Sequence, residues 1–241
     1  MDSIEQLKEM IYESDRIAFF GGAGVSTASG IPDFRSSTGI FNKPSGGKYS
    51  PEEIVSHSFF MKHPKQFFDF HFNVLVHPEA EPNFCHRYLA KLEEKGKRVA
   101  IITQNIDGLH QRAGSKKVYE LHGSVWTNHC LACGEEYTYP QLKVDKEGIP
   151  RCPKDQEIVR PDVVLYEEPL NQKVIEGALR ELQAADLLIV AGTSLLVQPA
   201  ASLLQYYQGS YLAVINKTPI PLPRPDALVF QSSINEIFKQ L

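Results

Sequence analysis

Short, nearly uninterrupted apolar runs recur along the chain and alternate with longer segments in which apolar residues return every three or four positions. The short runs are "RIAFF" at 16–20, "RVAIIT" at 98–103, "VYEL" at 118–121, "DVVLY" at 162–166, "DLLIVAG" at 186–192, "YLAVIN" at 211–216 and "ALVF" at 227–230. Runs of this kind read as strands buried between two layers, and the amphipathic segments between them as the helices that cover a parallel sheet on both faces. Helix starts carry their own signals. Ser3 with Gln6 reads as a capping box, and "SPEE" sets Ser50 at the N-cap, Pro51 at the first helical position and Glu53 at the third. Two stretches break the alternation: roughly 31–85, aromatic-rich and helical in pattern, and roughly 124–160, which carries cysteines. These are expected to form a second, smaller domain, leaving 1–30, 86–123 and 161–241 to the sheet. "PIPLPRP" at 219–225 reads as a rigid surface connection.

Composition narrows the function classes. With 241 residues and 42% hydrophobic content the chain can bury a large core, which excludes disorder. A net charge of −4 argues against a general phosphate-backbone binder, so no direct nucleic-acid partner is expected. The opening "MDSIEQLKEMIYESD" has acids where a signal peptide has a basic region, and no apolar run approaches the roughly 18 residues of a membrane span. A cytoplasmic location is expected. Four cysteines, three of them at metal-like spacing, suit a reducing compartment and a metal site better than a disulfide framework.

The chemistry gathers at strand ends. "FFGGAGVSTASG" puts Gly21, Gly22, Gly24 and Ser26 directly after an apolar run, where backbone amides can cradle a pyrophosphate. The same glycines could serve only a tight strand-to-helix turn. The strict dinucleotide fingerprint fails: Thr27 stands where the third glycine belongs, and "NKPSGGK" at 42–48 offers no acid for a ribose. Yet "GIPDFRS" at 30–36 then places Asp33, Phe34 and Arg35 in a Gly/Pro-punctuated loop, a costly set unless it meets a ligand. "TQNIDGLHQRAG" at 103–114 begins where a strand ends, the edge at which open α/β sheets bind ligands, so Gln104, Asn105 and Asp107 share that crevice. "ELHGS" sets His122 beyond another strand end, "AGTSL" brings Gly192, Thr193 and Ser194, and "VIN" ends a fourth strand with Asn216. Several polar loops converging on one edge describe a long, multi-point ligand such as a dinucleotide.

Taken together, "GAGVSTASGIPDFR" (22–35), "TQNIDGLH" (103–110), "LHG" (121–123), the cysteine module, "RPDVV" (160–164), "GTSL" (192–195) and "VIN" (214–216) resemble the sirtuins, NAD-dependent protein-lysine deacylases, in order and over nearly the whole chain. The fold class this implies is α/β: a Rossmann-like parallel sheet with helices on both faces, plus a smaller domain made of a helical insertion and a zinc-ribbon-like module. The resemblance implies a variant NAD site in which Gly22, Ala23, Gly24, Ser26, Thr27, Asp33, Phe34, Arg35 and Gln104 surround the cofactor, with Gly192, Thr193, Ser194, Asn216 and Ile234 towards the adenosine. It makes Asn105, Ile106 and Asp107 the nicotinamide pocket and His122 the general base, and it places Val163 and Val164 in the cleft for an acyl-lysine peptide, a role compatible with their being buried strand residues. In one departure, the family commonly has Phe-Gly-Glu where this chain has Tyr166-Glu167-Glu168, which costs backbone freedom if φ is positive at Glu167.

Acyl preference and the metal are read from the insertions. Family members that favour succinyl or malonyl groups carry a Tyr and an Arg three apart in the helical insertion; "PKQFFDFHFNVLVHPEAEPN" at 64–83 has no such pair, which favours acetyl or another small or apolar acyl group. Phe67, Phe68, Phe70 and Phe72 could line the acyl tunnel or, at helical spacing, form core. Cys85 reads as a packed thiol on a helix, and its neighbour His86 as facing solvent or capping a contact. The pairs Cys130-x2-Cys133 and Cys152-x2-Asp155 have the spacing of zinc knuckles with aspartate in place of the fourth cysteine. Three outcomes stay open: zinc with Asp155 as ligand, zinc on three cysteines with water or another side chain, and no metal. His129 abuts Cys130, too close in sequence to reach the same centre comfortably. Rival functions are a protein ADP-ribosyltransferase on the same scaffold, a non-catalytic NAD or ADP-ribose sensor, and a nucleic-acid-binding zinc ribbon. "LACGEEYTY" counts against the last, because it has acids where a phosphate-binding finger has Lys and Arg.

Overall fold

Six strands form one parallel sheet in the computed structural model, which describes residues 3–34, 36, 39–40, 49–221 and 224–241. In chain order the strands are β1 (Arg16–Gly21), β2 (Arg98–Thr103), β3 (Val118–Glu120), β4 (Gly123–Cys130), β5 (Glu136–Thr138), β6 (Val159–Val163), β7 (Leu187–Ala191), β8 (Tyr211–Ile215) and β9 (Leu228–Phe230). The parallel sheet runs β3-β2-β1-β7-β8-β9. The chain therefore winds outward one way from β1 and then the other way from β7, and the crevice of such a sheet opens beyond the carboxyl ends of those two strands.

The period of two along β1 divides the core. Ile17 and Phe19 face α1 (Ser3–Glu13), α5 (Phe84–Glu94) and α8 (Ile234–Phe238), packing with Leu7, Leu89, Ile189 and Phe238. Ala18 and Phe20 face the other layer, with Leu188, Val190, Leu203 and the Ala178 and Leu182 side chains of α7 (Gln172–Ala184). The remaining helices are α2 (Pro51–Ile54), α3 (His57–Lys62), α4 (Pro64–Phe70), which continues into a π turn at His71–Leu75, and α6 (Leu109–Arg112). The capping box expected at α2 is present: the Glu53 amide donates to Ser50 Oγ at 3.2 Å and the Ser50 amide to Glu53 Oε2 at 2.7 Å.

The run expected as a parallel strand at 162–166 behaves differently. Its strand is Val159–Val163, and it pairs antiparallel with β4 in a second sheet of order β5-β4-β6. The physical reason lies in its alternation: along β6 every second residue is buried and the others are half exposed, as in a sheet solvated on one face. Residues 164–166 leave the sheet, the Val164 amide donating to the His122 carbonyl at 2.9 Å and the Tyr166 amide to Val55 at 3.0 Å. Phe60, Phe67 and Phe68 from α3 and α4 pack on this small sheet with Val125, Val163 and Leu165, so Phe67 and Phe68 are core, and Phe72 packs against the same cluster.

Cys85 is buried as expected. His86 does not face solvent: it is fully buried, its Nδ1 accepts the Asn83 amide at 3.2 Å within a capping box, and its ring meets His110 edge-on at 4.6 Å. Burial holds both imidazoles neutral, His86 down at about 3 and His110 well below the usual histidine range. No helix among the described residues is long and apolar enough to cross a membrane.

Gly123 opens β4 at φ +74°, where a Cβ would lie 1.8 Å from the Asp162 carbonyl oxygen. Gly123→Ala is expected to cost about 2–4 kcal/mol, from the left-handed backbone and the backbone clash together. Urea unfolding of the two proteins measures it, and equal stability would refute the reading.

Candidate functional site

Five strand ends deliver the candidate residues to one edge. β1 and β7 end in loops that touch through glycine: the Gly22 amide donates to the Ala191 carbonyl at 3.2 Å and the Gly24 amide to the Gly192 carbonyl at 2.9 Å. A Cβ at Gly24 would lie 2.8 Å from Gly192 Cα, and one at Gly192, itself at φ +58°, would lie 2.6 Å from the Val25 nitrogen and 2.7 Å from Ile234 Cδ1. These glycines thus serve loop-on-loop packing, and Ile234 on α8 presses on the same point. Ala23 and Thr27 lie half-buried in this loop, Thr27 Oγ1 donating to the Gly24 carbonyl at 3.0 Å.

From β2 comes the polar knot. Asn105 Nδ2 donates to Ser26 Oγ at 3.0 Å, and the Ser26 hydroxyl donates to Asp107 Oδ2 at 2.6 Å. The other Asp107 oxygen accepts the Leu109 amide at 2.9 Å, and Trp126 Nε1 donates to the Asp107 carbonyl at 2.7 Å. Burial raises the Asp107 carboxyl, an effect the Ser26 and Leu109 bonds only partly offset. Ile106 packs against the aromatic cluster, its carbonyl accepting the Val125 amide at 3.1 Å. Gln104 is the joint between strands: its Nε2 donates to Thr193 Oγ1 at 3.0 Å, while its carbonyl lies 3.0 Å from His122 Nδ1. A carbonyl can only accept, so Nδ1 carries the proton and Nε2 is the basic nitrogen of the neutral ring.

The remaining expected residues distribute around this centre. Thr193 is buried and Ser194 half-buried beyond β7. Asn216 caps β8, its amide donating to the Phe230 carbonyl at 3.0 Å and its Nδ2 to the Thr218 carbonyl at 2.8 Å. Asp33 Oδ1 accepts the Ser36 amide at 2.7 Å, and Phe34 is half-buried. Arg35 lies outside the described residues. Val163 is buried in the small-sheet core, and Val164 is tied to His122 through its amide.

The Sir2 family profile matches residues 22–199, which contain most of this edge. The chain belongs to the Sir2 family. A protein of Clostridium perfringens named NAD-dependent protein deacetylase is 52% identical over 98% of this chain and 97% of its own length. One of the same name from Clostridium tetani is 52% identical over 98% and 96%. Among solved structures, a complex described as Sir2, p53 peptide and NAD+ superposes with a TM-score of 0.84 at 35% identity, covering 98% of this chain and 96% of that one. A Sir2 protein bound to a propionylated peptide gives 0.85 at 35% identity, covering 100% and 97%.

Two further features of this Sir2 chain stand out, of which the first was not read from its sequence and the second was. Glu120 ends β3 opposite Thr103, and its Oε1 is buried with no hydrogen-bond partner among the described residues. Burial raises its carboxyl, a Gln111 bond offsets part of that, and the nearby Asp107 charge adds to the rise, to about 7. An acid closing an apolar run is the only signal "VYEL" gave. The second is the turn after β6. Glu167 has φ +76°, a conformation costing a side chain roughly 1–2 kcal/mol. Burial would raise the Glu168 carboxyl, but Arg160, the Leu165 amide and His57 more than offset it and hold it at about 2.

The cysteine module fits a metal. Tetrahedral zinc with Zn–S near 2.3 Å separates neighbouring sulfurs by about 3.8 Å. Here Cys133 and Cys152 sulfurs are 3.7 Å apart, Cys130 Sγ is 3.4 Å from both Asp155 oxygens, and the four donor atoms lie within 4.8 Å of one another. His129 is turned to Asp162 at 2.6 Å, which removes it as a substitute ligand.

Glu120, with its folded value raised above the ordinary 4.5 to about 7, favours folding while protonated, so its contribution is full below about 4.5 and is lost as pH rises through 7. Relative to Glu120→Gln, the wild type should lose up to about 3 kcal/mol of unfolding free energy between pH 4.5 and 8; parallel pH profiles would refute this. Asp155→Ala should weaken zinc at least about tenfold in a chelator competition, and undiminished affinity would remove the carboxylate from the ligand set.

Proposed function

We infer that this Sir2 chain is an NAD-dependent protein-lysine deacetylase, which moves an acetyl group from lysine to ADP-ribose and releases nicotinamide. The observation that carries the reading is the placement of His122, its tautomer fixed by the Gln104 carbonyl, on the same sheet edge as the bonded set Asn105, Ser26 and Asp107. A pure NAD or ADP-ribose sensor has no use for an oriented base at that point. The matched relatives carry the name NAD-dependent protein deacetylase over essentially the whole chain.

Bound NAD supplies the ribose carbon that nicotinamide leaves and that an acyl oxygen then attacks. The chain's own residues supply position, because an amide oxygen is a poor nucleophile and must be held against its target. Asp107, fixed on both oxygens and through its carbonyl, orients the nicotinamide carboxamide together with Asn105 and Ile106. Phe34 covers the reacting face against water. His122 Nε2 accepts a proton by way of a ribose hydroxyl, which starts acyl transfer. Gly22, Ala23, Gly24, Ser26, Thr27, Asp33, Arg35 and Gln104 surround the remainder of NAD, and Gly192, Thr193, Ser194, Asn216 and Ile234 its adenosine half. Val163 and Val164 flank the acyl-lysine peptide, with acetyl preferred for want of a Tyr and Arg pair in the insertion. Cys130, Cys133, Cys152 and Asp155 would hold a structural zinc away from this chemistry.

His122→Ala should lower peptide-dependent nicotinamide release at least about a hundredfold while leaving NAD binding close to wild type. The assay runs NAD with a panel of acyl-lysine peptides and follows their mass. Loss of the acyl mass supports the reading, gain of an ADP-ribosyl mass instead would assign a transferase, and no peptide-dependent release with any acyl group would end it.

A further inference from the structure

Residues 164–168 run from the catalytic edge to the helical insertion, and every residue of this segment is bonded. The Val164 amide holds the His122 carbonyl at 2.9 Å; further on, the Tyr166 amide donates to Val55 and the His57 amide to Tyr166, each at 3.0 Å. Glu168 fastens the turn mainly to β6: its carboxylate accepts Arg160 at 2.6 and 3.1 Å and the Leu165 amide at 2.9 Å, with His57 at 2.8 Å. Glu167 reaches the other way only. Its carboxylate accepts the Ser58 amide at 2.8 Å and the Ser58 hydroxyl at 2.9 Å, both on α3.

Those two bonds coincide with a backbone that a side chain disfavours. At φ +76° a glycine would sit freely, whereas Glu167 sits there with its carboxylate spent on α3. Charge-assisted bonds of this kind are the stronger class, and both end on one short helix packed over the small sheet. The turn is therefore anchored at one end to the catalytic histidine's own carbonyl and at the other to α3.

We propose that Glu167 is a positioning residue for the acyl-lysine peptide: its bonds to Ser58 lock the 165–168 turn onto α3 and so fix the wall of the cleft that begins at Val164. This rests on the reading of Val163 and Val164 as flanking the acyl-lysine peptide. A residue in that position governs how well the peptide is seated, not how NAD is held, because its carboxylate bonds end on Ser58 and not on Gln104 or on the bonded set of Ser26, Asn105 and Asp107.

Two variants separate the carboxylate from the backbone. Glu167→Gly keeps the left-handed conformation and deletes the bonds; Glu167→Gln keeps an acceptor of the same length for Ser58. Glu167→Gly should raise the KM for an acetyl-lysine peptide roughly fivefold to tenfold, about the net worth of one ordinary hydrogen bond, with kcat and the KM for NAD unchanged. It should also speed hydrogen exchange at the amides of 165–168, and Glu167→Gln should restore most of both properties. An unchanged peptide KM in Glu167→Gly overturns the proposal, as does an equal loss of NAD affinity, which marks a general structural role. Absence of peptide-dependent turnover in the wild type would sink the deacetylase reading instead; hydrogen exchange then decides alone, and unaltered protection at 165–168 overturns the proposal.

Discussion

The ends of β1 and β7 approach until the Gly24 amide meets the Gly192 carbonyl at 2.9 Å, with no space for a Cβ on either side. That contact closes the floor of the crevice and fixes where the next loops can stand. Thr193 follows Gly192 and receives the Gln104 side chain from β2; Gln104 in turn holds His122 by its carbonyl, and the His122 carbonyl receives Val164. A line of hydrogen bonds therefore runs from the glycine contact to Val164. Displacing its first member by the width of a methyl group would move each of the others.

The electrostatics of this edge follow from burial. Asp107 and Glu120 are carboxyls raised by desolvation, and the buried His86 and His110 are kept neutral by the same cause. A low-dielectric floor strengthens every bond made above it and penalises any that is missing. That explains why Asp107 has both oxygens bonded, whereas burial and the nearby Asp107 charge push Glu120 towards its neutral form.

The cysteine module has little apolar substance of its own. Cys130, Cys152 and Val159 form its buried cluster, with Tyr137 and Leu142 against them. A unit so small cannot hold a fold by burial alone, and four converging donors offer what burial does not, since metal affinity is there folding free energy. The same sheet carries β6, whose end leads to Val164 and the turn behind it, so a bound metal and that turn would share a support.

Local chemistry settled a good deal of this protein in advance. Six of the seven apolar runs lie in the parallel sheet, and the central ones, β1, β2, β7 and β8, are almost wholly buried because burial on both faces leaves little place for a polar residue. The strand-end positions of Gln104, Asn105, Asp107 and His122 followed from the same reading, as did the α2 capping box. Non-local pairing decided the rest. The alternation of "VRPDV" favours a sheet solvated on one face, but its partner is fixed only when β4 is there to accept it, and β4 itself opens on a glycine whose need is visible only against Asp162. His86 reads as facing solvent or capping a contact until the fold buries it as the capping partner of Asn83 with His110 against its ring, and Glu167 reads as a strained substitution until Ser58 meets its carboxylate. Sequence determines which residues prefer burial and where a strand must end; only the folded chain determines which distant partner makes a costly residue affordable, because that energy resides in contacts between segments and not in either segment alone.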